Sequence, residues 1–380
     1  MTIIGIIIGL IILTLIVIIH ELGHALAAIK NGVVVEEFGI GFPPRAWGKK
    51  LKNGVLLSLN WLPIGGFCKM QGEHDSDNKK GDYGRASLWG KTQILFGGVI
   101  FNLILAVVIF TILAVVGLPK LFDNQFSIPS DTKTILSPVT IGHIENNTPA
   151  AKAGLKVGDQ LVSIAGQSLN RGADVSKVTA KHKGQNIIIN YKRNGKLVSV
   201  RTTLRAKNND SKGYLGIGVD QSENIKATWS APIVGVATTV QLTTETFKGV
   251  GGLIGNFFGG LAKQLSFNRE TRQEGQKEVN QAGEGVSGPI GIVGILFPQA
   301  ARMGPITLLM LAGIISLSLA VMNTLPIPAL DGGRWLVTMI FRLRRKKLTP
   351  DLEEKINTIG FMVLMAFVVL ITVVDVFRLF

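Results

Sequence analysis

Cysteine is almost missing from this 380-residue chain; Cys68 is the only one. A single thiol excludes an intrachain disulfide and any zinc site or redox pair built from several cysteines. Charge is scarce too. Asp, Glu, Lys and Arg make up 17% of the sequence, against roughly 25% in ordinary soluble domains. Hydrophobic residues reach 47%. These figures exclude a disordered chain and argue against an ordinary soluble enzyme; a membrane protein with a soluble portion fits them. Acidic residues number 25 and basic ones 40, for a net charge of +15. That excess permits nucleic-acid binding, but no nucleic-acid motif accompanies it, so no nucleic-acid partner is expected.

Four apolar stretches are long enough for a spanning helix, which needs about 20 residues. They run over Ile3–Ile29, Ile94–Val116, Met303–Met322 and Ile356–Val374. A fifth, Val250–Ala262, is short and glycine-rich and reads as interfacial or buried. Ala25-Leu26-Ala27 mimics a signal-peptide cleavage site. The first stretch is nevertheless long, lacks a basic leader and carries three ionisable residues, so a retained helix is expected. Basic residues crowd two connections. Lys30, Arg45, Lys49, Lys50 and Lys52 follow the first stretch, and Arg342, Arg344, Arg345, Lys346 and Lys347 precede the fourth. The positive-inside rule puts both connections in the cytoplasm. A multi-pass protein of the cell membrane is expected, its N-terminus and long middle segment outside.

The middle segment carries strand and turn signals. Pro149–Ala153 reads as a short helix closed by Gly154, and Gln160–Ile164 as a strand between Gly158-Asp159 and Gly166. Two strand-like runs, Ile187–Tyr191 and Leu197–Leu204, flank Asn194-Gly195, a hairpin signal. The stretch resembles a PDZ domain of the bacterial protease type. Thr148-Pro149-Ala150-Ala151, Ala153-Gly154-Leu155, Gly158-Asp159, Leu161, Ile164 and Gly166 carry the likeness. A PDZ domain takes an extended peptide as an added strand; a domain that only excludes bulky partners fits the same residues. Beyond it, Ala231–Lys248 reads as an amphipathic surface helix and Asn268–Gly285 as a polar loop.

The chemistry begins inside the first apolar stretch. His20-Glu21-Leu22-Gly23-His24 fits H-E-x-x-H, which on a helix projects both imidazoles from one face. Such a pair can hold one zinc ion, with the intervening glutamate as general base. A structural polar cluster, or part of a proton path, is the bland alternative. Burying three ionisable groups in hydrocarbon costs several kcal/mol unless they are paired or metal-bound. A catalytic zinc takes three protein ligands, and His74, His143 and His182 lie outside the apolar stretches. A carboxylate at membrane depth is needed, and Asp331 is the best candidate. It follows Asn323-Thr324-Leu325-Pro326-Ile327-Pro328-Ala329-Leu330, whose prolines must break a helix. Its bland alternative is a cap on a short helix over Gly332–Phe341.

Together these motifs resemble the site-2 protease family of intramembrane zinc metalloproteases, and within it the bacterial RseP/RasP branch, here with a single PDZ domain. His20-Glu21-x-x-His24 and Asn323-x-x-Pro326-x-Pro328-x-Leu330-Asp331-Gly332 carry the likeness. Pro63–Met70, Gly97-Gly98-x-x-x-Asn102 and Ser287–Gly291 support it, with Gly97-Gly98 standing where the family commonly has Gly-Pro. The resemblance implies a polytopic α-helical membrane protein of about four spanning helices with an inserted extracytoplasmic α+β PDZ domain. Its parts would be a catalytic membrane half over 1–117, the PDZ domain over 136–220, an extracytoplasmic linker over 221–302 and a second membrane half over 303–380. The implied roles are zinc ligation by His20, His24 and Asp331, and general base and later proton donor for Glu21. Asn323 would hydrogen-bond the substrate backbone. Gly65, Gly66, Phe67, Cys68, Lys69 and Met70 would form a membrane-dipping strand edge that holds the substrate unwound. Asn102 reads only as a bond between helices. Implied substrates are single-span membrane proteins already shortened outside, such as anti-sigma factors, or remnant signal peptides. A catalytically silent PDZ scaffold and an ion transporter are the competing readings. The intact Glu21 and Asp331 weigh against the scaffold, and the single Pro-broken segment against the transporter.

Overall fold

A computed structural model describes residues 2–207, 213–266, 268–284 and 288–379. The chain divides into two units. One joins Met1–Ala114 to Ala231–Phe380, and the other is Val115–Ser230.

The helical unit opens with α1 (Thr2–Lys30), a run in which a helix alone can satisfy every backbone group in hydrocarbon. A folded hairpin follows, β1 (Val35–Lys50) and β2 (Leu56–Met70). Each strand bends, at Gly41 (φ 77°) and Gly65 (φ 76°), so β1 pairs with β2 twice: Phe38 faces both Leu57 and Cys68. The four segments lie in the order 45–50, 56–60, 35–40, 66–70. Segment 66–70 is therefore an edge, with a strand on one side only among the described residues. The hairpin lies along α1, where the Thr14 hydroxyl donates to the Pro63 carbonyl at 3.1 Å.

Where one span over Ile94–Val116 was expected, the chain forms α2 (Leu88–Leu95) and α3 (Gly97–Val116), separated at Phe96. The Ser87 hydroxyl caps α2 by accepting from the Gly90 amide.

The second unit carries β3 (Leu118–Pro119), β4 (Lys133–Leu136), β5 (Thr140–Ile144), α4 (Pro149–Lys152), β6 (Gln160–Ile164), β7 (Gln167–Ser168), α5 (Gly172–Lys181), β8 (Asn186–Arg193), β9 (Lys196–Thr203), β10 (Ile217–Asp220) and β11 (Glu223–Lys226). The main sheet runs β10-β5-β6-β8-β9, with β7 beside β6; a smaller one runs β3-β11-β4. Asn194 and Gly195 both have positive φ between β8 and β9, the two-residue turn that their pairing requires. Ile141, Leu161, Ile164, Val175, Val178 and Ile189 close the core between sheet and helices.

Back in the helical unit come α6 (Ala231–Gln264), α7 (Arg269–Glu284), the short α8 (Pro289–Gly291), α9 (Phe297–Met303), α10 (Pro305–Thr324), α11 (Asp331–Leu343) and α12 (Pro350–Leu379). The glycine-rich stretch Val250–Ala262 is the second half of α6, and the polar loop expected over Asn268–Gly285 is the helix α7. Gly260 and Gly275 let α6 and α7 approach backbone to backbone: a Cβ on Gly260 would stand 2.7 Å from the Gly275 oxygen. Phe297 and Pro298 fill the space above Gly9 and Gly5 of α1. Ser287 lies outside the described residues.

Among the described residues three helices are long and apolar enough to cross a membrane: Ile3–Lys30, Gly97–Val116 and Pro305–Thr324.

Candidate metal centre

Helix α1 places His20 and His24 on one face, both buried. The third donor arrives from the far end of the sequence. Pro326 and Pro328 stop α10, Ala329 turns with φ 77°, and α11 begins at Asp331. The chain doubles back so tightly that a Cβ on Gly333 would lie 1.9 Å from the Ile327 oxygen, and one on Gly332 2.2 Å from the Thr324 oxygen. Only glycine fits there. Gly360 of α12 packs equally close to Pro328.

The result is a convergence of three donors. Asp331 Oδ2 lies 3.3 Å from His20 Nε2 and 3.4 Å from His24 Nε2, and the two Nε2 atoms are 3.1 Å apart. Asp331 is not a helix cap here; it is the first residue of α11, and its Oδ2 is buried without a hydrogen-bond donor among the described residues. The orientation of His24 follows from its other nitrogen. Nδ1 lies 2.8 Å from the Ile94 carbonyl, in the last turn of α2, where carbonyls lack helical partners. A carbonyl can only accept, so neutral His24 carries its proton on Nδ1 and turns the Nε2 lone pair inward. Two imidazole nitrogens and one carboxylate oxygen, aimed at one point, make a donor set that fits a zinc ion.

Helix α3 presses against this cluster. A Cβ on Gly98 would stand 2.6 Å from both His24 Nε2 and His20 Cε1, so only a bare backbone passes. One turn on, the Asn102 amide nitrogen lies 3.3 Å from His20 Nδ1. Sequence reasoning missed this proximity and the Ile94 carbonyl. The available signals were an asparagine inside an apolar span and the Gly97-Gly98 pair ahead of it.

The remaining residues surround the cluster unevenly. Glu21 sits between the histidines on α1, and a Cβ on Gly66 would lie 3.8 Å from its Cγ. Edge segment 66–70 thus passes beside Glu21. Gly65 makes the bend, the Phe67 ring covers Gly39, and Cys68 is half-buried. Lys69 is exposed and paired with Glu36 at 2.9 Å, which raises its pKa. The Met70 amide donates to Glu73. Asn323 is half-buried on the last turn of α10.

Comparison with known proteins bears on this geometry. Residues 8–367 match peptidase family M50. A protein of Clostridium acetobutylicum named "Putative zinc metalloprotease" is 32% identical over 377 residues, covering 99% of this chain and 98% of the relative. The regulator of sigma-W protease RasP from Bacillus subtilis is 25% identical, with 95% of each chain covered. A solved PDZ domain of an SdrC-like protein from Listeria innocua is 28% identical, covers 22% of this chain and 93% of that one, and has a TM-score of 0.19. A family match that takes in both the paired histidines and the aspartate beyond the proline break leaves one conclusion: the chain belongs to peptidase family M50, the site-2 proteases, and is a zinc-dependent metalloprotease of the membrane.

Proposed function

We propose that His20, His24 and Asp331 hold the zinc and that Glu21 is the general base for hydrolysis of peptide bonds within membrane-spanning segments. The convergence of the three donors, with Asp331 Oδ2 otherwise orphaned, is the observation that carries this reading. Bound zinc would supply Lewis acidity, both acidifying water and polarising the scissile carbonyl. Glu21 would take the proton of the attacking water and return it to the leaving amine. The Ile94 carbonyl would hold His24 in the tautomer that keeps Nε2 free.

A helix hides its peptide bonds, so cleavage requires local unwinding. The open edge at Gly65–Met70 offers a strand partner that replaces the lost hydrogen bonds and runs beside Glu21. Asn323 would hydrogen-bond the substrate backbone near the scissile bond. Exposed Phe42, Trp47, Trp61, Leu62 and Ile64 support a hairpin that dips into lipid. Substrates would be single-span proteins already trimmed outside, such as anti-sigma factors, or remnant signal peptides. Helix α12 would serve as the fourth span, with N-terminus and PDZ-like unit outside the cell membrane, as the basic connections require. That unit would bind an extended peptide or exclude bulky ectodomains.

The test is cleavage of a model single-span substrate in liposomes, with zinc content measured on the same samples. Glu21→Gln is expected to keep its zinc and lose about 10²-fold or more in rate. His20→Ala is expected to lose both. Wild-type cleavage by Glu21→Gln would overturn the assignment of the base.

A further inference from the structure

Asn102 has no exposed surface, yet its side-chain oxygen has no hydrogen-bond partner among the described residues. Leaving a buried amide oxygen unpaired is costly. Its neighbour explains what the oxygen is for. The amide nitrogen, as placed, stands 3.3 Å from His20 Nδ1. His20 Nε2 faces His24 Nε2 and Asp331 Oδ2, so a metal bound there takes the Nε2 lone pair and leaves the proton on Nδ1. An amide N–H facing a ring N–H is a clash of two donors. Turning the amide over exchanges Oδ1 and Nδ2, which removes the donor clash and lets the oxygen accept the His20 proton.

Resting on the zinc-site reading above, we propose that Asn102 is a positioning residue: its Oδ1 accepts the His20 Nδ1 proton and fixes the tautomer in which Nε2 faces the metal. The site then has matched supports. His24 is held by the Ile94 carbonyl and His20 by the Asn102 amide, both neutral acceptors. Neutral supports suit the charge, since two carboxylates, Glu21 and Asp331, already balance a divalent ion in a buried place. The backbone of Asn102 is itself anchored, its carbonyl accepting the Ser316 hydroxyl of α10 at 2.9 Å.

Full-length protein in detergent tests this, by zinc competition against a chromophoric chelator and by the visible spectrum of the cobalt-substituted form. Asn102→Leu, of similar size but without an acceptor, is expected to weaken zinc about 10–100-fold and to change the cobalt bands. Asn102→Asp restores an acceptor of the same shape and should recover part of the affinity, the added buried charge holding back the rest. Ser316→Ala loosens the backbone anchor but leaves the acceptor on His20, and should weaken zinc far less than Asn102→Leu does. If Asn102→Leu does not fold, ¹⁵N-histidine spectra of the zinc-loaded wild type decide. They must show His20 with a protected proton on Nδ1, and a proton on Nε2 overturns the inference. A wild type that binds no zinc, or a His20→Ala variant that keeps it, sinks the site reading and this inference with it. Zinc bound by wild type, lost in His20→Ala and unchanged in Asn102→Leu sinks the positioning role alone.

Discussion

Gly23 and Gly97 touch backbone to backbone: a Cβ on Gly23 would stand 2.3 Å from the Gly97 carbonyl oxygen, and one on Gly97 2.5 Å from the Gly23 oxygen. Gly23 lies between the candidate metal-binding histidines, so α1 and α3 meet beside the candidate metal site. Alanine at Gly23 must push the helices apart. We expect Gly23→Ala to destabilise the helical unit by about 1–3 kcal/mol, as overpacking does, and to lower zinc retention. Thermal unfolding and zinc analysis of the same preparation check both.

Chelation should be felt unevenly. Asp331 Oδ2 is buried and finds no hydrogen-bond donor among the described residues, so a metal there would be its partner. A ligand present at about 100 times its Kd adds roughly 2.7 kcal/mol to the folded state, and that contribution belongs to the helical unit. Hydrogen exchange should quicken in α1 and α11 on zinc removal, while β5, β6 and β8 keep their protection. Equal loosening of the strands would contradict it.

In the strand-rich unit, stability at low pH turns on Asp159. Burial alone would raise its pKa. The guanidinium of Arg193, bonded at 2.7 Å to each carboxylate oxygen, and the Lys156 amide outweigh burial and hold it below the usual carboxylate range. A lowered folded pKa contributes stability that is present in full above the unfolded value, about 3.9, and is lost as pH falls through the folded one. Arg193→Met should cost about 2–3 kcal/mol at neutral pH. That is the low end for breaking a buried pair, because the arginine is 31% exposed. The same variant should move acid unfolding to higher pH. Denaturant titrations at two pH values measure it.

Lys91 is a buried cation, 1% exposed, paired with Asp75 and lying 5.4 Å from the centre of the Tyr83 ring. The Asp75 amide donates in turn to Glu353 of α12 at 2.9 Å. Asp75→Asn leaves the lysine without its closest counter-charge and should destabilise by about 3–5 kcal/mol. Adding Lys91→Met should recover most of that. A double-mutant cycle on unfolding free energies reads the coupling.

Part of this molecule was legible before any coordinates. The i, i+4 histidines and the proline break ahead of Asp331 pointed to one place because buried charge and broken backbone both need a reason at membrane depth. Strand β6 announced itself through the Gly158-Asp159 and Gly166 that bracket it, and β8 and β9 through two β-rich runs, the second alternating, around Asn194-Gly195. Helix α7 did not, since it is polar and shows no apolar period. Its support is tertiary, from close packing at Gly260 and Gly275 and from the Lys263–Glu278 ion pair with α6. The interruption at Phe96 was hidden in an unbroken apolar run, and with it the carbonyl that orients His24. Nor does sequence alone say that β1 pairs twice, which is what leaves 66–70 as an edge.

That open edge has a mechanical consequence. Residues in a strand rise about 3.3 Å each, against about 1.5 Å in a helix. Five substrate residues drawn out along 66–70 would therefore lengthen by roughly 9 Å. The slack has to come from somewhere: one end of the substrate must slide along the bilayer normal as it unwinds. A segment moored by folded domains on both sides resists that travel, whereas one with a released end pays out freely. If substrate is held there as proposed, a built-in preference for segments with a loose end would follow from strand geometry, before any residue recognises a side chain.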